Sequence, residues 1–488
     1  MIPDPASTPR SDTRRPRLRG FHRLIFLLIG VTLMTGAAGA QDDTPVELQE
    51  TNYFGMGARA MGMGTAFVAV ADDASAMFYN PAGLTQIRWG NLSAGLSYDA
   101  YEVTTTHTSV RTADTDHTRL EHFAITYPVR PYRGNVVLGF TYRRWADLDQ
   151  VVFKEGFLVE PTPTVRGLFE LEDYRRTGSI DAWTGAAAVD LSPHVSIGGT
   201  LTFLSGRSSE NLVQANYRAT LVGNDVELDL GSSSDPDDRL FEERVVREAD
   251  LYGFTGSLGL LFHLDSGFRV GAALELPADL NWDGASRFRL EDWEKIDSNL
   301  DPSVSPNFFR DDITMPLSVS GGLSWEGSGL LLSGGARWTD YTQIDFFGKI
   351  LAPPDGITFQ RENAYRGVVA FNGGVEYTPP GTPLRVRGGY YTKPLPYRLI
   401  AADTEFQFEA DPGTSEILRN YPQANTVSDQ HFYTLGAGVL VENALALDVA
   451  YQRGSWKRSV NETGSSAPAT IEDVTQNRWF MSATAHFR

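Results

Sequence analysis

Cysteine is absent from the 488-residue chain, which excludes disulfides, thiolate metal sites and thiol catalysis. Positive charge is scarce: 42 Lys and Arg stand against 61 Asp and Glu, for a net charge of −19. That balance disfavours nucleic acid as a partner. Beyond the N-terminus no apolar run reaches the ~18 residues of a membrane-spanning helix. The eight histidines (His22, His107, His117, His122, His194, His263, His431, His486) show no metal-ligand spacing. No enzymatic activity, catalytic residue, metal or cofactor is expected from these patterns.

What is present begins with an export signal. Six arginines, from Arg10 to Arg23, precede an apolar segment over Leu24–Leu33, and Ala38-Gly39-Ala40 supplies a small-x-small cleavage pattern. Residues 1–40 therefore read as a signal peptide, with the mature chain starting near Gln41. An exported chain of this kind is periplasmic, secreted or an outer-membrane barrel.

From residue 89 onward the apolar period is two, the signature of half-exposed strands. Leu92, Ala94, Leu96 and Tyr98 alternate with Ser93, Gly95, Ser97 and Asp99. The same grammar recurs to Trp479, Met481, Ala483, Ala485 and Phe487 at the C-terminus. Fourteen such strands are expected, with 108–119, 220–243 and 277–312 as intervening polar segments or loops. Short turns such as Ser192-Pro193-His194 alternate with long Asp-, Gly- and Pro-rich loops. Short turns on one side and long loops on the other are the layout of an outer-membrane barrel. Aromatic residues at the ends of many apolar faces match an interfacial girdle. The expected fold is all-β: a 14-stranded antiparallel transmembrane β-barrel over 89–488, with a small N-terminal hatch at 41–88 inside the lumen. A soluble propeller or sandwich would want blade-sized repeats, and the chain has none.

The stretch before the strands is the most distinctive. Gly55–Leu84 reads GMGARAMGMGTAFVAVADDASAMFYNPAGL. It is punctuated by glycines suited to tight packing, with a short helix around Asp72-Asp73 and a turn at Asn80-Pro81. This segment resembles the N-terminal signature of the outer-membrane long-chain fatty acid transporter family, which also includes aromatic-hydrocarbon channels. The resemblance implies a barrel blocked by an N-terminal hatch and passive uptake of long-chain fatty acids or other hydrophobic compounds. It implies, too, that substrate leaves by diffusion, often through a lateral opening at a strand kink. The same motif is similar to a sister group of barrels that act as structural outer-membrane components of protein secretion and surface attachment, so that alternative stays open.

For such a channel, Phe54, Met61, Phe67, Phe78, Tyr79, Asn80 and Pro81 are the candidate plug and substrate-contact residues. Asp72 and Asp73 are placed to pair with lumen arginines Arg337, Arg385 or Arg387, and Arg59 with a wall carboxylate. The same arginines suit a fatty acid carboxylate. Expected partners are hydrophobic small molecules, lipopolysaccharide and outer-membrane lipid, and the barrel assembly machinery, for a monomer in the bacterial outer membrane.

Overall fold

The computed structural model describes residues 55–487, apart from 107–108, 130–134, 160, 163–166, 223–224, 230–240, 293–306, 344–365, 397–423, 443 and 461–469. The expected signal peptide at 1–40, Gln41 and Phe54 lie outside the described residues.

Two short helices, α1 (Ala58–Gly62) and α2 (Ala76–Tyr79), and a 3-10 turn at Pro81–Gln86 precede a single antiparallel sheet of eighteen strands. These are β1 (Gly90–Thr106), β2 (Val110–Val129), β3 (Val136–Asp147), β4 (Gln150–Val159), β5 (Gly167–Ser192) and β6 (Val195–Val222). Next come β7 (Asp225–Asp229), β8 (Phe241–His263), β9 (Phe268–Glu275), β10 (Ala278–Asp292), β11 (Asn307–Met315) and β12 (Ser318–Gly327). The chain ends with β13 (Leu330–Asp340), β14 (Gly367–Tyr377), β15 (Leu384–Lys393), β16 (Ala424–Val441), β17 (Leu445–Val460) and β18 (Thr470–Phe487).

The wall itself has fourteen strands. β3 and β4 both pair with β5 and form one wall strand interrupted at Leu148–Asp149. β9 and β10 share β8 in the same way, across Leu276–Pro277. β11 and β12 continue one another across Pro316–Leu317. Both of these later breaks hold a proline, which cannot donate to a ladder. β7 is a spur paired with β6. The cylinder closes where β1 meets β18, from Gly90 opposite Phe487 to Thr106 opposite Ile471. Closure leaves no unpaired edge, the condition for a sheet to cross a bilayer.

Side chains divide as the alternation requires. On β1, Leu92, Leu96 and Tyr98 are exposed outward, while Asn91, Ser93 and Asp99 are buried toward the lumen. Tyr98, Trp183, Phe254, Trp338, Tyr390 and Trp479 are likewise outward and exposed, and recur around the wall as an aromatic girdle. An apolar exterior over a polar lumen is the outer-membrane arrangement. No helix of the described residues is long and apolar enough to cross a membrane.

The polar segments extend the strands. The stretch expected to separate two strands at 108–119 is mostly β2, 277–312 contributes β10 and β11, and 220–243 contributes β7 and the start of β8. β6 has 28 residues, against the roughly 9–11 that cross a bilayer. Above the lipid zone no face needs to be apolar, so the pairing continues where the sequence signal fades.

Candidate functional site

Residues 55–88 lie in the lumen with most side chains buried. Helices of four or five residues have no stability of their own; packing holds them. Met56, Ala74, Met77 and Leu84 meet the inward-facing Ala124, Val137 and Ala188 of β2, β3 and β5. On the opposite wall the turn at Met63-Gly64 sits on bare backbone. A Cβ at Gly374 would stand 2.1 Å from the Met63 carbonyl oxygen, and one at Gly389 2.3 Å from the Gly64 nitrogen. Only glycine on β14 and β15 permits that approach.

Polar contacts fix the plug at three places. Asn80 donates from Nδ2 to the carbonyls of Val68 and of Leu260 on β8, both at 2.9 Å, and accepts from the Ala82 nitrogen. Pro81 packs on Gly198 of β6. On β2, a bulge at Glu121 turns two successive side chains, Glu121 and His122, into the lumen. Glu121 accepts from the Gly57 nitrogen at 2.9 Å and faces His122 Nδ1 at 2.6 Å.

The third contact is a charge network. Arg59 reaches Asp72 at 2.5 Å, Asp73 at 3.6 Å and Glu376 of β14 at 2.9 Å. Glu376 is shared with Arg387 of β15, which also meets Asp448 of β17 at 2.6 Å. Burial opposes the charge on Arg59, yet Asp72, Glu376 and Asp73 hold its guanidinium well above the ordinary arginine value. For Asp73, burial is the larger influence and raises the carboxyl despite Arg59.

The structure thus brings Asp72 and Asp73 to Arg59, within the plug, rather than to a wall arginine. Arg59 and Arg387 meet through Glu376. Arg337 instead pairs with Glu275 of β9. Arg385 of β15 lies opposite Gly438 of β16, outside the network. Met61 packs with Ala450 and Phe480 of the wall, and Phe67 with Ala60, Met63 and Val70. Both are plug packing. Phe78 and Tyr79, in edge contact at 4.7 Å between ring centres, border a cavity.

That cavity, of about 150 Å³, lies between plug and wall. Phe78, Tyr79, Tyr341, Val368, Ala370 and Tyr391 give it apolar walls, with Arg337, Asn372 and Lys393 on its polar side. It adjoins a break in the wall. The β14–β15 ladder ends at Asn372 opposite Tyr391, so Gly367–Phe371 have no ladder partner on β15. The Phe371 nitrogen donates instead to the Thr392 hydroxyl at 3.0 Å, and backbone contact resumes from Arg366 to Pro396. Pro394 and Pro396 lack the N–H groups a ladder needs. The outward-facing Phe371 and the inward-facing Val368 border the same space.

Sequence reasoning missed Glu121, Glu376, Tyr341, Tyr391 and Lys393. For Glu121 a signal exists: outward apolar residues fall at Leu120 and then Phe123, an odd step that breaks the alternation. For Glu376, Tyr391 and Lys393, strand alternation places them inward but gives no vertical position relative to the plug; Tyr341 stands in the 3-10 turn Tyr341–Gln343 after β13, where no alternation applies.

Solved structures share this architecture. The crystal structure of the P. putida toluene transporter TodX matches with a TM-score of 0.55 at 13% identity, over 90% of this chain and 100% of that one. A Pseudomonas aeruginosa FadL homologue matches with a TM-score of 0.56 at 14% identity, over 92% and 100%. At such identity the likeness is one of fold. No protein-family model and no curated protein matches the sequence.

Proposed function

We propose that the chain is an outer-membrane channel for passive uptake of hydrophobic compounds, long-chain fatty acids or more compact hydrocarbons, with residues 41–88 as the hatch. The observation that carries this reading is the cavity, apolar at Phe78, Tyr79, Val368 and Ala370, beside the part of β14 that has no ladder partner on β15. Ligand sites of this type combine apolar walls with a few convergent polar groups. Its volume, about 150 Å³, is close to that of an engineered apolar cavity that takes up benzene. An aromatic ring fits whole, and an acyl chain fits in part, with its remainder in the wall break. The fold shared with a structure named as a toluene transporter favours the same solutes. The alternative, a structural barrel of a secretion system, predicts no ligand-sized cavity of this kind.

The test is uptake into liposomes carrying the purified full chain. Labelled toluene and labelled oleate are each compared with glucose. Entry of at least one apolar solute at several times the rate of empty liposomes, with glucose excluded, is the expected result. Rates equal to those of empty liposomes for both apolar solutes would sink the proposal.

A further inference from the structure

We infer that His117, Asp147 and Asp149 form a binding site for a zinc-class divalent cation, which clasps the second wall strand to the third. The β2–β3 ladder ends at His122 opposite Arg143, so the residues of β2 from Val110 to Glu121 have no backbone partner on β3. At that level a side-chain cluster takes the place of the ladder. It joins β2 to the Leu148–Asp149 interruption between β3 and β4.

The donor set is the reason for a metal. One imidazole nitrogen and two carboxylate oxygens converge within 4.8 Å of one another. His117 Nε2 is 2.8 Å from Asp147 Oδ2. On the other side of the ring, Nδ1 lies 3.5 Å from Asp149 Oδ2. Nδ1 is buried and makes no hydrogen bond. Nδ1 and Asp149 Oδ2 stand about as far apart as two ligands of one tetrahedral cation, with no hydrogen bond joining them. A ligating histidine that donates its other N–H to a carboxylate is the usual orienting device around zinc. Mixed imidazole and carboxylate ligands suit zinc better than calcium or magnesium.

Arg119 is the resident competitor. Its guanidinium reaches Asp147 Oδ1 at 3.2 Å and also touches Asp149 Oδ2. Asp149 keeps one anchor besides, accepting from the Gly178 nitrogen of β5 at 2.9 Å. A dication entering between Nδ1 and Asp149 displaces Arg119 toward solvent, while Asp147 holds the far side of the imidazole ring at Nε2. The spacing escaped the sequence because its carboxylates stand 30 and 32 positions from His117 and meet only through strand pairing.

Equilibrium dialysis of the detergent-purified full chain against zinc alone tests the site. One zinc per chain is expected, with affinity at least tenfold weaker in H117A and in D149N, and unchanged in H194A. In R119Q His117, Asp147 and Asp149 all remain and the competing cation is gone, so affinity should rise at least tenfold; misfolding cannot mimic that gain. The inference is overturned if the wild-type chain binds no zinc, if H117A binds like wild type, or if R119Q binds no more tightly.

Discussion

Asp72 and Asp73 are neighbours with opposite energetic roles. Asp72 makes the shorter contact with Arg59, at 2.5 Å. Asp73 uses Oδ1 mainly to hold the turn, accepting from the Ser75 nitrogen at 2.8 Å and its hydroxyl at 2.6 Å. Replacing Asp72 with Asn weakens a charge-assisted bond and should destabilise the chain by about 1–3 kcal/mol. Asp73→Asn keeps the acceptor oxygen and removes a charge that burial disfavours. The Asp73 carboxyl is raised in the folded state, so the folded chain holds its proton to higher pH than the unfolded one. This group's contribution therefore falls as pH rises through the ordinary carboxylate range and above. Thermal melts should show D73N at least as stable as wild type at about pH 7, with the advantage gone below about pH 4. A D73N chain that melts well below wild type at neutral pH, as D72N is expected to, would refute this assignment. The pairing itself was half legible. That Arg59 seeks a wall carboxylate follows from its charge in a lumen, but which acids it finds depends on how 59 and 72 fold together, and no spacing rule covers a turn this irregular.

At the scale of elements, the wall was the legible part and the plug's seat was not. Fourteen alternating segments gave fourteen wall strands, because lipid on one side and a polar lumen on the other write a period of two into each. The signal failed where that contrast ends, as along Thr112–Arg119 of β2, which pairs with β1 although neither face is apolar. The plug's short helices carry no period, and their seat on β14 and β15 is a set of glycines whose partners the sequence does not name. That seat is testable. Gly374→Ala puts a methyl group 2.1 Å from the Met63 carbonyl oxygen, and overpacking of this kind costs about 1–3 kcal/mol. The wall on both sides of Gly374 is laddered, from Ser333 on β13 to Gly389 on β15, so the plug is the element that yields. Planar-bilayer recordings should then show ion conductance well above the wild-type chain. Wild-type conductance with an unchanged melting temperature would mean that the Met63-Gly64 turn does not rest there.

For the whole molecule, the break between β14 and β15 lies beside the cavity, with Phe371 on its outer face and Val368 on its inner one. Solute that crosses there must pass Ala370, whose side chain faces the cavity beside Val368. Because the natural chain has no cysteine, Ala370→Cys introduces a single thiol that can be loaded and unloaded at will. A bulky methanethiosulfonate attached at this position should reduce uptake of an apolar solute into liposomes at least several-fold, and a reductant should restore it. Leu323→Cys is the control: Leu323 lies on β12, 62% exposed on the outward face, and the same reagent there should leave uptake unchanged. Loss of uptake at both positions would trace the effect to the reagent. Full uptake through a chain labelled at residue 370 would show that solute takes another path, and the gap between β14 and β15 would then be a local irregularity of a wall rich in proline and glycine.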